Sequence, residues 1–153
     1  MRVEVALSHR TSFHHPLIAT YSPGDVHHER CVKLLSGWPG QLVIPEPVLA
    51  ETCGFLRNNL RKGALYEADL LEHVALGTGD FTVSMPTAED LRRSAELVRR
   101  MASAPLGYVD AIVIAMAERL HITDVATVGT KLVGMAVGVS KISPMSWLFP
   151  DQR

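Results

Sequence analysis

Two acidic side chains stand where a carboxylate can do chemistry. Glu51 follows the apolar run Gln41-Leu42-Val43-Ile44 and its closing Pro45 by about one helical turn. Asp110 opens the run Asp110-Ala111-Ile112-Val113-Ile114-Ala115-Met116-Ala117, which is apolar on every face. If both carboxylates meet at one edge of a sheet, their oxygens suit Mg²⁺ or Mn²⁺, hard cations that keep positions open for water and a substrate phosphate. Such an ion activates water and stabilises charge in phosphodiester cleavage. Each residue also has an ordinary structural explanation. Aspartate is a preferred helix N-cap, and a glutamate on a helix is usually just solvated.

Other ligand types are present in poorer arrangements. The pairs His14-His15 and His27-His28 tempt a zinc reading, but adjacent residues on a helix point about 100° apart and do not chelate together. Cys31 and Cys53 match no metal spacing and read as small buried hydrophobes. Arg57, Arg61, Lys62, Arg92, Arg93, Arg99 and Arg100 offer phosphate contacts, although most read as solvated helix faces.

The elements that must position these groups alternate along the chain. Val3 to Leu7 is β-prone, and Pro16-Leu17-Ile18-Ala19 opens a short helix. Asp25 is expected to cap a helix through Ser36, closed by Gly37, with Val26, Cys31, Leu34 and Leu35 as its apolar stripe. After the strand Gln41 to Ile44, one helix is expected from Pro47 to about Arg61. A second runs from Ala64 to Leu76, with Leu65, Ala68, Leu71 and Ala75 on its apolar side. Asp80 to Met85 alternates as a strand, and Thr87-x-x-Asp90 is a capping-box start for an amphipathic helix to about Met101. The buried helix from Asp110 and a strand from Ile122 to Val128 follow. Strands alternating with helices imply an α/β, three-layer architecture: a mostly parallel central sheet flanked by helices, with sites at the carboxyl ends of the strands.

The chain has 153 residues, 47% hydrophobic and 20% charged, which suits a single domain over 1–153. A formal charge of −1 gives no basic field able to hold nucleic acid by counterion release alone, so any such contact must be local. No apolar run approaches the roughly 20 residues needed to span a bilayer. The charged start Met1-Arg2-Val3-Glu4 lacks the apolar block of a secretory signal. A cytoplasmic protein without membrane contact is expected.

Five segments together resemble a family. Pro16-Leu17-Ile18-Ala19, Asp25-Val26-His27-His28-Glu29, Pro45-Glu46-Pro47-Val48-Leu49-Ala50-Glu51, Leu106-Gly107-Tyr108-Val109-Asp110-Ala111 and Ile122-Thr123-Asp124-Val125-Ala126-Thr127-Val128 occur in the order and spacing of VapC-type PIN domains, over about residues 13–134. The resemblance implies the PIN-like three-layer fold and a toxin of a toxin–antitoxin pair. It further implies an Mg²⁺-dependent endoribonuclease that cleaves RNA, pairs as a homodimer and is neutralised by an antitoxin protein. Carried over by position, Glu51 matches the family glutamate on the helix after the second strand, and Asp110 matches the aspartate opening the buried helix.

Two of the family's four acids are absent. The aspartate after the first strand falls on Phe13, with His14 and His15 beside it, and the fourth acid falls on Gly129. Imidazole suits Zn²⁺ or Mn²⁺ better than Mg²⁺ and adds no negative charge. Asp124 lies five residues before Gly129, so at roughly 16 Å along a strand it is no replacement. The incomplete cluster supports an alternative function, a catalytically impaired PIN-like domain that binds protein or RNA. A third reading puts altered reading frames at residues 8–15 and 129–145, where the family pattern fits poorly.

Overall fold

A computed structural model of the chain describes residues 3–6, 16–37, 41–76, 81–103, 106–122 and 124–126. The elements run β1 (Val3–Ala6), α1 (Pro16–Tyr21), α2 (His28–Gly37), β2 (Gln41–Pro45) and α3 (Glu46–Asn59). They continue α4 (Gly63–Leu76), β3 (Phe81–Ser84), α5 (Ala88–Arg100), α6 (Tyr108–Arg119) and β4 (Asp124–Ala126). The four strands form one sheet in the order β3-β2-β1-β4, and every pairing is parallel.

Strand β2 shows why helices must cover both faces. Successive strand residues point to opposite sides, yet Leu42, Val43, Ile44 and Pro45 are all buried. A strand buried on both faces is the signature of a parallel sheet between helical layers. The expectation of an α/β architecture with a parallel sheet flanked by helices is met.

Helix α6 is the deepest element. Every residue from Asp110 to Ala117 is buried, and Ile112, Ile114 and Met116 are almost wholly removed from water. Each large apolar side chain so buried stabilises by about 1.5–3 kcal/mol. The helix ends by a Schellman turn: Ile122 N–H donates to Ala117 O at 2.9 Å and His121 N–H to Glu118 O at 3.3 Å. His121 takes the left-handed conformation there, φ 55°, at the position glycine usually fills.

Three expectations are corrected. Helix α2 begins at His28, and Asp25 sits in the preceding turn, where its carboxylate accepts the His27 N–H at 2.8 Å. Val26 is therefore 79% exposed instead of facing the core. In α4 the expected apolar side of Leu65, Ala68, Leu71 and Ala75 is exposed. The inward stripe is Gly63, Tyr66, Leu70 and Val74. Its cause is Gly63, where the helices touch so closely that a Cβ would lie 1.7 Å from the Leu56 carbonyl oxygen. That contact sets the rotation of α4. Across the other end, the Tyr21 hydroxyl bonds His73 Nδ1 at 2.7 Å and ties α1 to α4. Burial, with the Asp69 charge, pushes the Tyr21 phenol up to about 12, so it stays protonated.

Gly63→Ala is expected to destabilise the fold by about 1–3 kcal/mol, because backbone must move to admit the methyl group. Gly54→Ala is the control: it meets nothing within 4 Å inside α3 and should stabilise by about 0.5–1 kcal/mol. Thermal melts of the two variants check this, and a Gly63→Ala protein as stable as the parent would contradict it.

Candidate functional site

Helix α3 leaves β2 without a linker. Pro45 is both the last residue of the strand and the helix N-cap, and its fixed φ suits the turn from strand to helix. This roots the helix at the carboxyl edge of the sheet. Glu51 follows on α3, half-buried, beside the fully buried Thr52. Thr52 turns its hydroxyl onto the Val48 carbonyl at 2.7 Å and so leaves no polar group unpaired inside.

Helix α6 reaches the same edge from the other direction. Its C-terminal turn feeds β4, whose strand direction is shared by the whole sheet. A helix of 12 residues is about 18 Å long, which carries its start back to the carboxyl edge. Helices α3 and α6 touch. Asp110 lies in the first turn of α6 and is only 6% exposed.

Asp110 is not the cap that aspartate commonly is. The N-cap of α6 is Gly107, in extended conformation, and Asp110 is the third residue of the helix. There the first-turn amides and the positive end of the helix dipole favour a negative charge. Asp124 opens β4 opposite Glu4 of β1, at the amino edge, as its distance along the strand requires. Phe13, His14, His15 and Gly129 lie outside the described residues. Glu51 and Asp110 thus stand on touching helices, and Asp124 opens β4 at the amino edge.

The donors available fit a hard cation in type and only partly in number. Carboxylate oxygens are what Mg²⁺ and Mn²⁺ prefer. Among the described residues no group of three or more His, Cys, Asp or Glu gathers to hold a metal. Two carboxylates match an ion that keeps most of its water. The cysteines do not contribute. Burial, with the Asp25 charge, pushes the Cys31 thiol up to about 12, and burial likewise raises Cys53, with Glu67 and Glu46 adding to it. His28 is committed to the α1 end, its Nδ1 2.7 Å from the Ala19 carbonyl oxygen.

Sequence reasoning missed the lock that holds α6 in place. Asp90 closes the capping box of α5, accepting the Thr87 N–H at 2.8 Å while its own N–H donates to the Thr87 hydroxyl at 3.2 Å. The same carboxylate, 1% exposed, takes the Arg119 guanidinium at 2.9 and 3.0 Å. Arg93 adds a two-pronged bond to Glu118 at 2.9 and 3.1 Å. The capping box was legible; its pairing with a residue 29 positions away carries no local signal.

The chain matches the PIN domain family over residues 15–137, and it belongs to that family. Its structure is similar to the Mycobacterium tuberculosis VapC20 toxin, described as cleaving the sarcin–ricin loop, with a TM-score of 0.72 and 21% identity over 86% of this chain and 93% of that one. It is also similar to a toxin–antitoxin complex from Klebsiella pneumoniae, with a TM-score of 0.58 and 19% identity over 91% of this chain and 92% of that one. The fold is thus that of VapC-type PIN proteins. No curated protein matches the sequence. Among the described residues no helix is long and apolar enough to cross a membrane.

The Asp90 lock gives a pH-dependent expectation. Burial opposes the charged carboxylate, but the bonds from Arg119 and Thr87 outweigh it and hold Asp90 below the usual aspartate range. A lowered folded-state pKa stabilises above the unfolded value, about 3.9, and that gain is lost as pH falls through the folded value. Arg119→Ala should therefore cost about 1–3 kcal/mol near neutral pH and less at an acid pH low enough to protonate Asp90. Urea melts at the two pH values check this; an equal cost at both would contradict it.

Proposed function

We propose that this chain is a VapC-like toxin, a divalent-metal-dependent endoribonuclease that hydrolyses RNA phosphodiester bonds. What supports the reading is the place of Glu51 on α3 and of Asp110 in the first turn of α6, on touching helices, in a member of the PIN family. Bound there, Mg²⁺ or Mn²⁺ would activate water and neutralise charge on the phosphate. Asp110 supplies a buried carboxylate at the helix start, where the dipole favours negative charge. Glu51, half-exposed on α3, faces solvent enough to accept a hydrogen bond from the attacking water.

The same reading includes an antitoxin protein that covers the site, a homodimer, one domain over 1–153 and a cytoplasmic location. The outward α4 side chains Leu65 and Leu71, 63% and 44% exposed, offer apolar surface to a protein partner. The specific observation behind the second reading, an impaired domain that binds protein or RNA, is the sequence itself: Phe13 and Gly129 occupy two positions where the family carries acids.

The test is Mg²⁺- or Mn²⁺-dependent cutting of two RNAs, a hairpin reproducing the sarcin–ricin loop and an unstructured strand. Cleavage of at least one is expected, and Asp110→Asn or Glu51→Gln should lower it at least about 100-fold with the melting temperature nearly unchanged. Joint Phe13→Asp and Gly129→Asp substitution should raise the rate. A folded parent and a folded double variant that both leave RNA intact would defeat the nuclease reading and leave the binding module.

A further inference from the structure

An opening lies where the turn between α1 and α2 faces the junction of α3 and α4. It is a cavity of about 490 Å³ whose lining includes Gly24, Asp25, Phe55, Arg61, Lys62 and Tyr66. That volume falls within the roughly 300–1,000 Å³ of small-ligand sites. Phe55 stands one helical turn after Glu51, so the two side chains share one flank of α3, about 6 Å apart along its axis. The cavity thus lies along α3 from Glu51, within reach of a neighbouring nucleotide.

Its chemistry is that of a nucleotide. Phe55 and Tyr66, both half-buried, line the cavity. Arg57, Arg92, Arg93 and Arg119 are each held by a carboxylate. Arg61 and Lys62, exposed at the cavity rim, pair with none among the described residues. The one acid in the lining, Asp25, is engaged by the His27 N–H. In a chain with a net charge of −1, two uncommitted cations beside two rings form the local contact that RNA would need.

We propose that this cavity is a subsite for a nucleotide of single-stranded RNA flanking the cleaved bond, its base against Phe55 and Tyr66 and its phosphates at Arg61 and Lys62. The inference rests on the nuclease reading for what the subsite serves, but binding alone tests it. The probe is a dye-labelled, phosphorothioate-linked oligoribonucleotide that resists cutting, read by fluorescence anisotropy with the full chain in Mg²⁺.

Two variants leave Glu51 and Asp110 untouched. Gly24→Leu adds apolar bulk to the cavity lining at a position where a Cβ meets nothing within 4 Å. It should weaken binding roughly 5- to 150-fold, the range for losing one stacked base. Arg61→Ser with Lys62→Ser should flatten the slope of log affinity against log salt by about 1.4, two phosphate contacts at about 0.7 each. Parental affinity and slope in both variants, or no binding by the parent, would overturn the subsite, and an unchanged RNA affinity would leave the cavity to a protein segment. If the parent cuts RNA while both variants bind like it, only the subsite fails. If the parent cuts nothing yet the variants lose affinity, the nuclease reading fails and the subsite stands.

Discussion

Helix α6 has no polar face to give to water: every side chain from Ala111 to Ala117 is buried. Such a helix must lie between other layers, and only its two ends can meet solvent or polar partners. Its C-terminal end is fixed by Arg119 on Asp90, Glu118 on Arg93, and the Schellman turn into β4. Its N-terminal end is thereby delivered to the carboxyl edge of the sheet. The position of Asp110 follows from apolar burial along the helix.

The two buried aspartates of the described residues are therefore different objects. Asp90 is 1% exposed and fully accounted for by Thr87 and Arg119. Removing either charge leaves the other partner stranded, which is why such pairs fix geometry more reliably than they add stability. Asp110 is 6% exposed at a helix start whose cap is supplied by Gly107. One carboxylate orients helices, and the other is presented by the helix so oriented.

Much of the fold was legible because each signal was local. Thr87 and Asp90 formed the expected capping box, and the strand Gln41–Ile44 and the apolar run after Asp110 took the expected forms. What failed was rotation and register. The apolar spacing of Leu65, Ala68, Leu71 and Ala75 suggested the inward face of α4, but the Gly63 contact with Leu56 turned Leu70 inward instead. The start of α6 was misplaced because Tyr108 and Val109 add no polar cap, and a glycine N-cap gives no side-chain signature. Of the candidate site, sequence supplied the two carboxylates. It could not supply Arg119 on Asp90 or the meeting of Phe55 with Arg61 and Lys62 around a cavity, because these depend on packing between helices.

The central claim is that Glu51 and Asp110 act together as a two-carboxylate site for a hydrated divalent ion. Titration of Mn²⁺ followed by electron paramagnetic resonance tests it without reference to any RNA. The account predicts one weak site, in the millimolar range because two carboxylates must hold an ion that dehydrates reluctantly, and its loss in both Glu51→Gln and Asp110→Asn. Tight micromolar binding, or binding that survives either substitution, would contradict it.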